Sequence, residues 1–225
     1  MRVVLFGATG MIGQGVLREC LLDSDVTQVL AVGRSATAQE NAKLREIVHH
    51  DFLDLTAVKG EMAGYDACFF CLGVSAVGMT ETEYEHVTFG YAVTAGETLA
   101  KQNPGMTFEY ISGAGTDSTE QGRVMWARVK GKTENALLRM PFKAAYMLRP
   151  GYIQPMHGIR SKTGWYQAMY TVMSPLYPIL SAVAPNYVTT TEQLGRAMIE
   201  VARSGAKKRV LEVRDINETG RAKIR

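Results

Sequence analysis

The chain has 225 residues, of which 46% are hydrophobic and 21% are charged, a balance that supports a globular core and excludes a disordered chain. Its 25 Lys and Arg residues against 22 Asp and Glu give a formal net charge of +3, which is too balanced for a nucleic-acid-binding protein. The three cysteines cannot form a fully paired disulfide framework or a four-cysteine zinc site.

Strand and helix patterns alternate along the whole chain. Short apolar runs predict strands, and apolar residues at helical spacing predict helices. The predicted strands cover residues 3–6, 26–32, 46–50, 66–72, 107–111, 144–148 and 209–213. The predicted helices cover residues 11–22, 80–101, 122–139 and 190–203.

This alternation predicts an α/β fold with a doubly wound, mostly parallel Rossmann sheet and helices on both faces. Because no linker divides the sequence, residues 1–225 are expected to form one domain, with residues 151–188 as a small C-terminal substrate cap. Trp165 to Ala184 is mostly apolar, but Pro175 and Pro178 would break a spanning helix. We expect a buried or lid-like helical segment there, and a cytoplasmic protein without a signal peptide.

The glycine-rich segment GATGMIG, residues 7–13, follows the first strand and opens the first helix. The first glycine permits a tight turn, the second lets the backbone approach a pyrophosphate, and the third lets helix and strand pack closely. N–H groups at the helix start favour phosphate. The segment therefore predicts a dinucleotide site, the alternative being a structural turn without a ligand. Its predicted binding residues are Gly7, Thr9, Gly10, Met11, Ile12 and Gly13.

The end of the second strand indicates which dinucleotide is bound. Sites that prefer NAD place an acidic residue there to hold the ribose 2′-hydroxyl. This chain has Arg34 and Ser35 instead, which suit a 2′-phosphate. The sequence therefore favours NADP over NAD, unless Arg34 is only a solvated surface residue.

Residues after the third and fourth strands are expected at the same edge of the sheet, where ligands of open α/β sheets bind. Asp51 and Phe52 follow the third strand, and Leu72 and Gly73 follow the fourth. We expect Asp51 to accept a hydrogen bond from the adenine amino group, and Leu72 and Gly73 to pass close to adenine and ribose. The alternative for Asp51 is a turn.

Residues 7–13, Arg34, Asp51, Ser112, Lys130 and residues 148–151 together resemble the short-chain dehydrogenase/reductase superfamily. The resemblance is to its atypical, epimerase-like members, including the Tat-interacting-protein-like group. It implies that Ser112 orients a substrate carbonyl and that Lys130 binds the nicotinamide ribose. It also implies that Pro150 and Gly151 contact the cofactor.

One residue departs from the family pattern. The tyrosine expected four residues before Lys130 is Trp126, and an indole N–H can donate a hydrogen bond but cannot move a proton as a phenol does. Tyr152, which follows Pro150 and Gly151, is the preferred substitute, with packing or cofactor contact as the alternative. The other available phenols and a nearby imidazole are Tyr84, Tyr91, Tyr110 and His157.

Two further patterns are set aside. Cys68 and Cys71 have the spacing of a redox motif, but on a strand they face opposite sides, so we expect core residues. His49 and His50 are adjacent on a predicted strand and make a poor metal pair. No metal site is predicted.

The resemblance implies an NADP-dependent oxidoreductase, or an epimerase-like enzyme, that acts on a small carbonyl or alcohol. The alternative is a catalytically inactive module that senses NADPH, which Trp126 favours. The expected partners are the dinucleotide and a small-molecule substrate, without nucleic acid or a membrane span; a protein partner or a homo-oligomer stays open.

Overall fold

The computed structural model describes residues 1–159 and 177–221 of the chain. Within them the strands are β1 Arg2–Phe6, β2 Gln28–Gly33, β3 Leu44–Val48, β4 Ala67–Phe70, β5 Thr107–Ile111, β6 Ala144–Arg149, β7 Tyr152–Gln154, β8 Val188–Thr190 and β9 Val210–Glu212. Seven of them form a parallel sheet in the order β3-β2-β1-β4-β5-β6-β9. β7 and β8 pair in a separate two-stranded sheet.

Helices connect the strands of the main sheet. The α-helices of the described residues are α1 Met11–Leu22, α2 Glu81–Glu85, α3 Tyr91–Gln102, α4 Met125–Leu138, α5 Tyr177–Val183, α6 Thr191–Ser204 and α7 Val213–Thr219. A 3-10 turn at Lys59–Met62 precedes β4, and a π-helical turn at His86–Gly90 joins α2 to α3.

The sheet is buried on both faces, as the sequence predicted. Successive side chains of a strand point to opposite faces. Val3 and Leu5 of β1 therefore pack with α1 and α6, whereas Val4 and Phe6 pack on the side of α3 and α4. All four side chains are fully buried, which explains why this strand is a continuous apolar run. The predicted doubly wound fold is confirmed.

The predicted strands and helices are all present, with their ends moved by a few residues. The helix predicted over residues 80–101 begins at a capping box of Thr80 and Glu83 and is interrupted by the π-helical turn. The last predicted strand, 209–213, ends at Glu212 because α7 begins at Val213. β7, β8 and α7 were not predicted, whereas α5 lies within the helical segment expected over residues 165–184.

The described part of the predicted cap is built on the end of β6. β7 follows β6 after two residues, and the Tyr152 N–H donates to the Tyr187 carbonyl at 2.9 Å. Residues 160–176, which include Met169 and Met173, lie outside the described residues, as does much of the apolar stretch from Trp165. None of the described helices has both the length and the apolar character needed to cross a bilayer.

Candidate functional site

The glycine-rich turn brings the end of β1 against the start of α1. Gly7 has φ +82°, a left-handed conformation that favours glycine. A Cβ on Gly13 would lie 2.0 Å from the Gly7 carbonyl oxygen, so only glycine permits this contact. The Gly10 N–H donates to the same oxygen at 3.0 Å. The segment therefore has the tight turn and close helix–strand packing that its pattern predicted.

The start of α1 presents backbone N–H groups at the carboxyl edge of the sheet. Gly10 is the N-cap and has no side chain to accept from them. Within residues 1–159 and 177–221, the N–H groups of Met11, Ile12 and Gly13 find no acceptor. The Gln14 side chain fixes the main chain at Thr9, because its Nε2 donates to the Thr9 carbonyl oxygen at 3.1 Å. Unpaired N–H groups at the positive end of a helix can bind phosphate oxygens.

Arg34 and Ser35 lie at the same edge. They follow β2, which pairs with β1 so that Val32 is opposite Phe6, the last residue before the turn. Both side chains are exposed. Among the described residues Arg34 forms no ion pair, so its guanidinium can pair with an added anion.

Asp51 and Phe52 follow β3, but their side chains differ in access. Asp51 is exposed, and its Oδ1 accepts from the Leu53 N–H at 2.9 Å in a turn. Phe52 is only 1% exposed. Its ring centroid lies 6.1 Å from that of Phe6 and 5.5 Å from that of Tyr91. The Phe52 ring therefore belongs to the core, and any contact with a ligand is limited to its main chain.

The residues after β4 pass directly over the glycine turn. A Cβ on Gly7 would lie 2.8 Å from the Leu72 nitrogen, which places Leu72 against the turn. Leu72 also packs on the core, whereas Gly73 is exposed and has open space around its Cα. The structure thus brings Gly7, Leu72 and Gly73 together as the sequence predicted.

The Ser112 side chain is buried, and its hydroxyl forms hydrogen bonds within the protein. The side chain follows β5 and is 4% exposed. Its hydroxyl donates to Glu134 Oε1 at 2.5 Å and lies 3.2 Å from the Leu148 carbonyl oxygen. A hydroxyl has one hydrogen to donate, and here a buried carboxylate accepts it. In this arrangement the Ser112 hydrogen is donated to Glu134, and the orientation of a substrate carbonyl by Ser112 stays a prediction.

Glu134 and Arg149 form the buried ion pair behind Ser112. Arg149 Nε donates to Glu134 Oε1 at 3.0 Å, and its Nη2 donates to Oε2 at 2.5 Å. Arg149 also contacts Ser118 and Glu212 at the surface. The Glu134 carboxylate raises the pKa of Arg149 through this hydrogen bond. The sequence analysis missed Glu134, whose only signal was its position one helical turn after Lys130.

Lys130 and Trp126 lie one turn apart on α4, on the same face as Glu134. The Lys130 ammonium donates to the main-chain carbonyl of Ser112. Burial lowers the pKa of Lys130 to about 8, opposed by the nearby Glu134 carboxylate. Trp126 is half-buried, and a Cβ on Gly115 would lie 3.6 Å from its ring. Lys130 is therefore at the predicted place, beside the end of β5.

The tyrosines considered as proton donors are not equivalent. Tyr84 and Tyr110 are each 2% exposed and belong to the interior. Tyr91 packs against Phe52. Tyr152 lies in β7, donates to Gln154 Oε1 at 2.9 Å, and has its pKa raised by burial. The structure gives Tyr152 a packed position in the cap sheet.

Pro150 and Gly151 connect β6 to the cap. The Ala114 N–H donates to the Pro150 carbonyl at 2.8 Å, so this segment runs beside the loop after Ser112. A Cβ on Gly151 would lie 2.3 Å from the Tyr187 carbonyl oxygen. Glycine is thus needed at 151 for backbone packing, and a cofactor contact of this residue stays a prediction.

The two cysteines of the set-aside redox pattern pack in the core, whereas the two histidines lie beyond the end of β3. Cys68 packs on the face of α3 and α4, whereas Cys71 packs on the face of α1 and α6. Burial raises the pKa of both thiols, which agrees with the predicted core positions. His49 and His50 lie beyond the end of β3, and His49 Nε2 is 2.6 Å from the Asp51 carbonyl oxygen.

One polar cluster was not foreseen. Carboxylate and imidazole atoms of Glu19, His157 and Glu192 lie within 4.8 Å of one another. Arg196 pairs with both carboxylates, Glu19 at 3.0 Å and Glu192 at 2.6 Å. Arg18 also pairs with Glu19. With two guanidiniums present, the cluster is an ion-pair network that joins α1, α6 and the cap.

A cavity of about 460 Å³ lies beside α2 and the π-helical turn. Its lining is largely apolar and is formed by Gly78, Met79, Thr82, Glu83, His86 and Val87. It is distinct from the glycine turn, and it shares no lining residue with the Ser112, Lys130 and Glu134 network.

Known proteins resemble the chain in both sequence and fold. A family model described as "NAD(P)H-binding" matches residues 7–139. The mitochondrial protein FMP52-2 of Scheffersomyces stipitis is 28% identical over 152 residues, covering 66% of this chain and 65% of that protein. Protein HTATIP2 of Rattus norvegicus is 27% identical over 155 residues, covering 67% and 62%. The chain thus spans less than two thirds of the length of these relatives.

Solved structures support the same fold. The dTDP-glucose 4,6-dehydratase DesIV of Streptomyces venezuelae, solved with bound NAD, superposes with a TM-score of 0.69 at 15% identity. The match covers 98% of this chain and 80% of that enzyme. At this identity the likeness concerns the fold alone.

Proposed function

We propose that this chain, which belongs to the NAD(P)H-binding family, acts as an atypical short-chain dehydrogenase/reductase that binds NADP(H) and transfers hydride to a small carbonyl or from a small alcohol. The observation that carries the proposal is the glycine turn at the carboxyl edge of the sheet. There the N–H groups of Met11, Ile12 and Gly13 point at a ligand position, and no side chain stands at Gly10 to fill it.

These residues fit a dinucleotide. The α1 N–H groups would hold the diphosphate, and Lys130 would hold the nicotinamide ribose through the N–H groups that Ser112 does not use. Asp51 Oδ2 would accept from the adenine amino group, since the turn uses Oδ1. When bound, NADP(H) supplies or accepts the hydride, and the chain positions the substrate against it.

Preference for NADP rests on Arg34. Its exposed guanidinium follows β2, the position at which an acid would hold the ribose of NAD. A hydrogen bond between charged groups contributes about 1.5–3 kcal/mol, so Arg34→Gln should weaken NADPH binding about 10–150-fold. NADH binding should stay unchanged. Arg45→Gln is the matched control. Arg45 is an exposed arginine of the neighbouring strand β3, and it pairs with Glu61. Equal affinities of the unaltered protein for NADPH and NADH would contradict the assignment.

Catalysis is tested by following NADPH oxidation over a panel of aldehydes, ketones and quinones. Turnover by the unaltered protein supports the reductase, and we expect Arg34→Gln to raise the KM for NADPH. Absence of turnover across the panel, with NADPH binding intact, would contradict the reductase.

A second candidate is a module that senses NADPH without catalysis. Trp126 favours it, because an indole cannot replace the phenol, and so does the Ser112 hydroxyl, whose hydrogen is donated inward to Glu134. The variant Trp126→Tyr separates the candidates. Activity that appears only in Trp126→Tyr favours the sensor, whereas activity of the unaltered protein rejects it.

A further inference from the structure

We infer that Lys130 is the proton donor of this site, so that an ammonium group, rather than a phenol, protonates the substrate oxygen during carbonyl reduction. This inference rests on the proposed function.

The hydroxyl groups near the end of β5 are committed elsewhere. The Ser112 hydroxyl donates to a buried carboxylate. Tyr110, next to Ile111 in β5, is buried, and burial raises its pKa. Tyr152 donates to Gln154 within the cap sheet. The residue at the position of the family's phenol is Trp126, whose N–H does not ionise in the relevant pH range.

Lys130 is placed and equipped for the transfer. Its ammonium has three N–H groups, and the Ser112 carbonyl accepts one of them. Within the described ranges 1–159 and 177–221, no second acceptor binds the ammonium. A Cβ on Gly113 would lie 3.9 Å from Nζ, so glycine leaves the space beside the ammonium uncovered. Trp126, one turn earlier, lies 3.6 Å from the position that a Cβ on Gly115 would take.

Charges around Lys130 leave its proton available near neutral pH. Glu134, one turn later, is the carboxylate that acts on it, and Arg149 from β6 is paired with that carboxylate. Tyr110 from β5 is buried and neutral. Burial lowers the pKa of Lys130 more than attraction to the Glu134 carboxylate raises it, and the pKa falls to about 8. A donor is most effective when its pKa is close to the working pH.

The acidic residues of α2 pair with other residues of α4 and not with the Lys130 ammonium. Glu81 pairs with Arg128 at 2.7 Å, and Glu85 pairs with Lys132. These two partners lie on a different face of α4 from Lys130, because residues 128 and 132 form one i, i+4 row and residues 126, 130 and 134 form another.

Carbonyl reduction at this site transfers one proton and one hydride to the substrate. Lys130 gives one proton to the carbonyl oxygen while the carbonyl carbon receives a hydride from the reduced dinucleotide. The ammonium N–H bond breaks, an O–H bond forms, and the C=O π pair moves to oxygen. The carbonyl is reduced to an alcohol and the dinucleotide is oxidised. The neutral Lys130 amine then regains a proton from water.

The first test measures titration without substrate or cofactor. In the full chain labelled with 13C at lysine Cε, we expect one resonance to titrate near pH 8 and to be absent in Lys130→Arg. Lys132→Arg is the matched control, two residues along the same helix, and it should leave that resonance in place. Titration of Lys130 with the other lysines, above pH 10, would overturn the inference.

The second test measures turnover and binding together. Lys130→Arg keeps a positive charge, but the pKa of a guanidinium lies far above the working pH. The variant should therefore still bind NADPH measurably, while its kcat falls at least about 100-fold. The kcat of the unaltered protein should fall as pH rises above 8. Turnover that survives in Lys130→Arg, or that appears only in Trp126→Tyr or in no variant, would overturn the inference. Failure of the unaltered protein to bind NADPH would instead refute the proposed function.

Discussion

Replacing Ser112 by alanine tests whether its hydroxyl supports the core or faces the ligand. The side chain is 4% exposed and donates at 2.5 Å to Glu134, a carboxylate that is itself 1% exposed. Losing a hydrogen bond to a buried charge costs about 1.5–3 kcal/mol. For a domain of this size each kcal/mol lowers Tm by about 2–4 °C, so Ser112→Ala should lower Tm by roughly 3–12 °C.

The assay is a thermal melt followed by circular dichroism, checked by urea unfolding. Ser118→Ala is the matched control: its hydroxyl accepts from the same Arg149 at 2.6 Å but is exposed. It should change the free energy of unfolding by no more than about 0.5 kcal/mol. If Ser112→Ala has the same Tm as the unaltered protein but loses turnover, the Ser112 hydroxyl contacts the ligand and does not stabilise the core.

Three further predictions concern the core and the turn. Arg149→Met leaves the Glu134 carboxylate buried without its ion-pair partner and should lower the free energy of unfolding by about 3–5 kcal/mol in urea; a loss below 1 kcal/mol would contradict the pairing. Burial raises the pKa of Glu109, whose carboxyl oxygens have no partner among the described residues. Its protonated form therefore stabilises the fold fully below the unfolded pKa of about 4.3, and that contribution is lost as pH rises. Glu109→Gln should thus gain stability relative to the unaltered protein between pH 5 and 8, by up to about 1.4 kcal/mol per pH unit, and equal pH profiles would show that Glu109 does not titrate this way. Gly13→Ala places a Cβ 2.0 Å from the Gly7 oxygen, so calorimetry should show at least about tenfold weaker NADPH binding, whereas Gly60→Ala, with open space around it, should bind normally.

Features set by neighbouring residues could be predicted from the sequence. The turn of residues 7–13 depends on glycines that meet across a single strand–helix junction, and its geometry agrees with the prediction. Strands β1 and β4 were recognisable as continuous apolar runs. Strand periodicity predicted that Cys68 and Cys71 lie on opposite faces of the sheet, and their packing agrees with this prediction.

Features set by distant residues could not be predicted in the same way. The direction of the Ser112 hydroxyl depends on Glu134, 22 positions later, and on Arg149 behind it. The three-residue strands β7 and β8 exist because Tyr152 meets Val188 across the cap, and neither is long enough to show a period of its own. Burial of Phe52 depends on Tyr91, which packs over it from another element.

Dinucleotide binding is measured by calorimetric titration of the full chain with NADPH at neutral pH. We expect saturable binding of one NADPH per chain and weaker binding of NADH, because the α1 N–H groups would bind the diphosphate and Arg34 would bind the 2′-phosphate. No heat and no thermal shift with oxidised or reduced forms of either dinucleotide would contradict it.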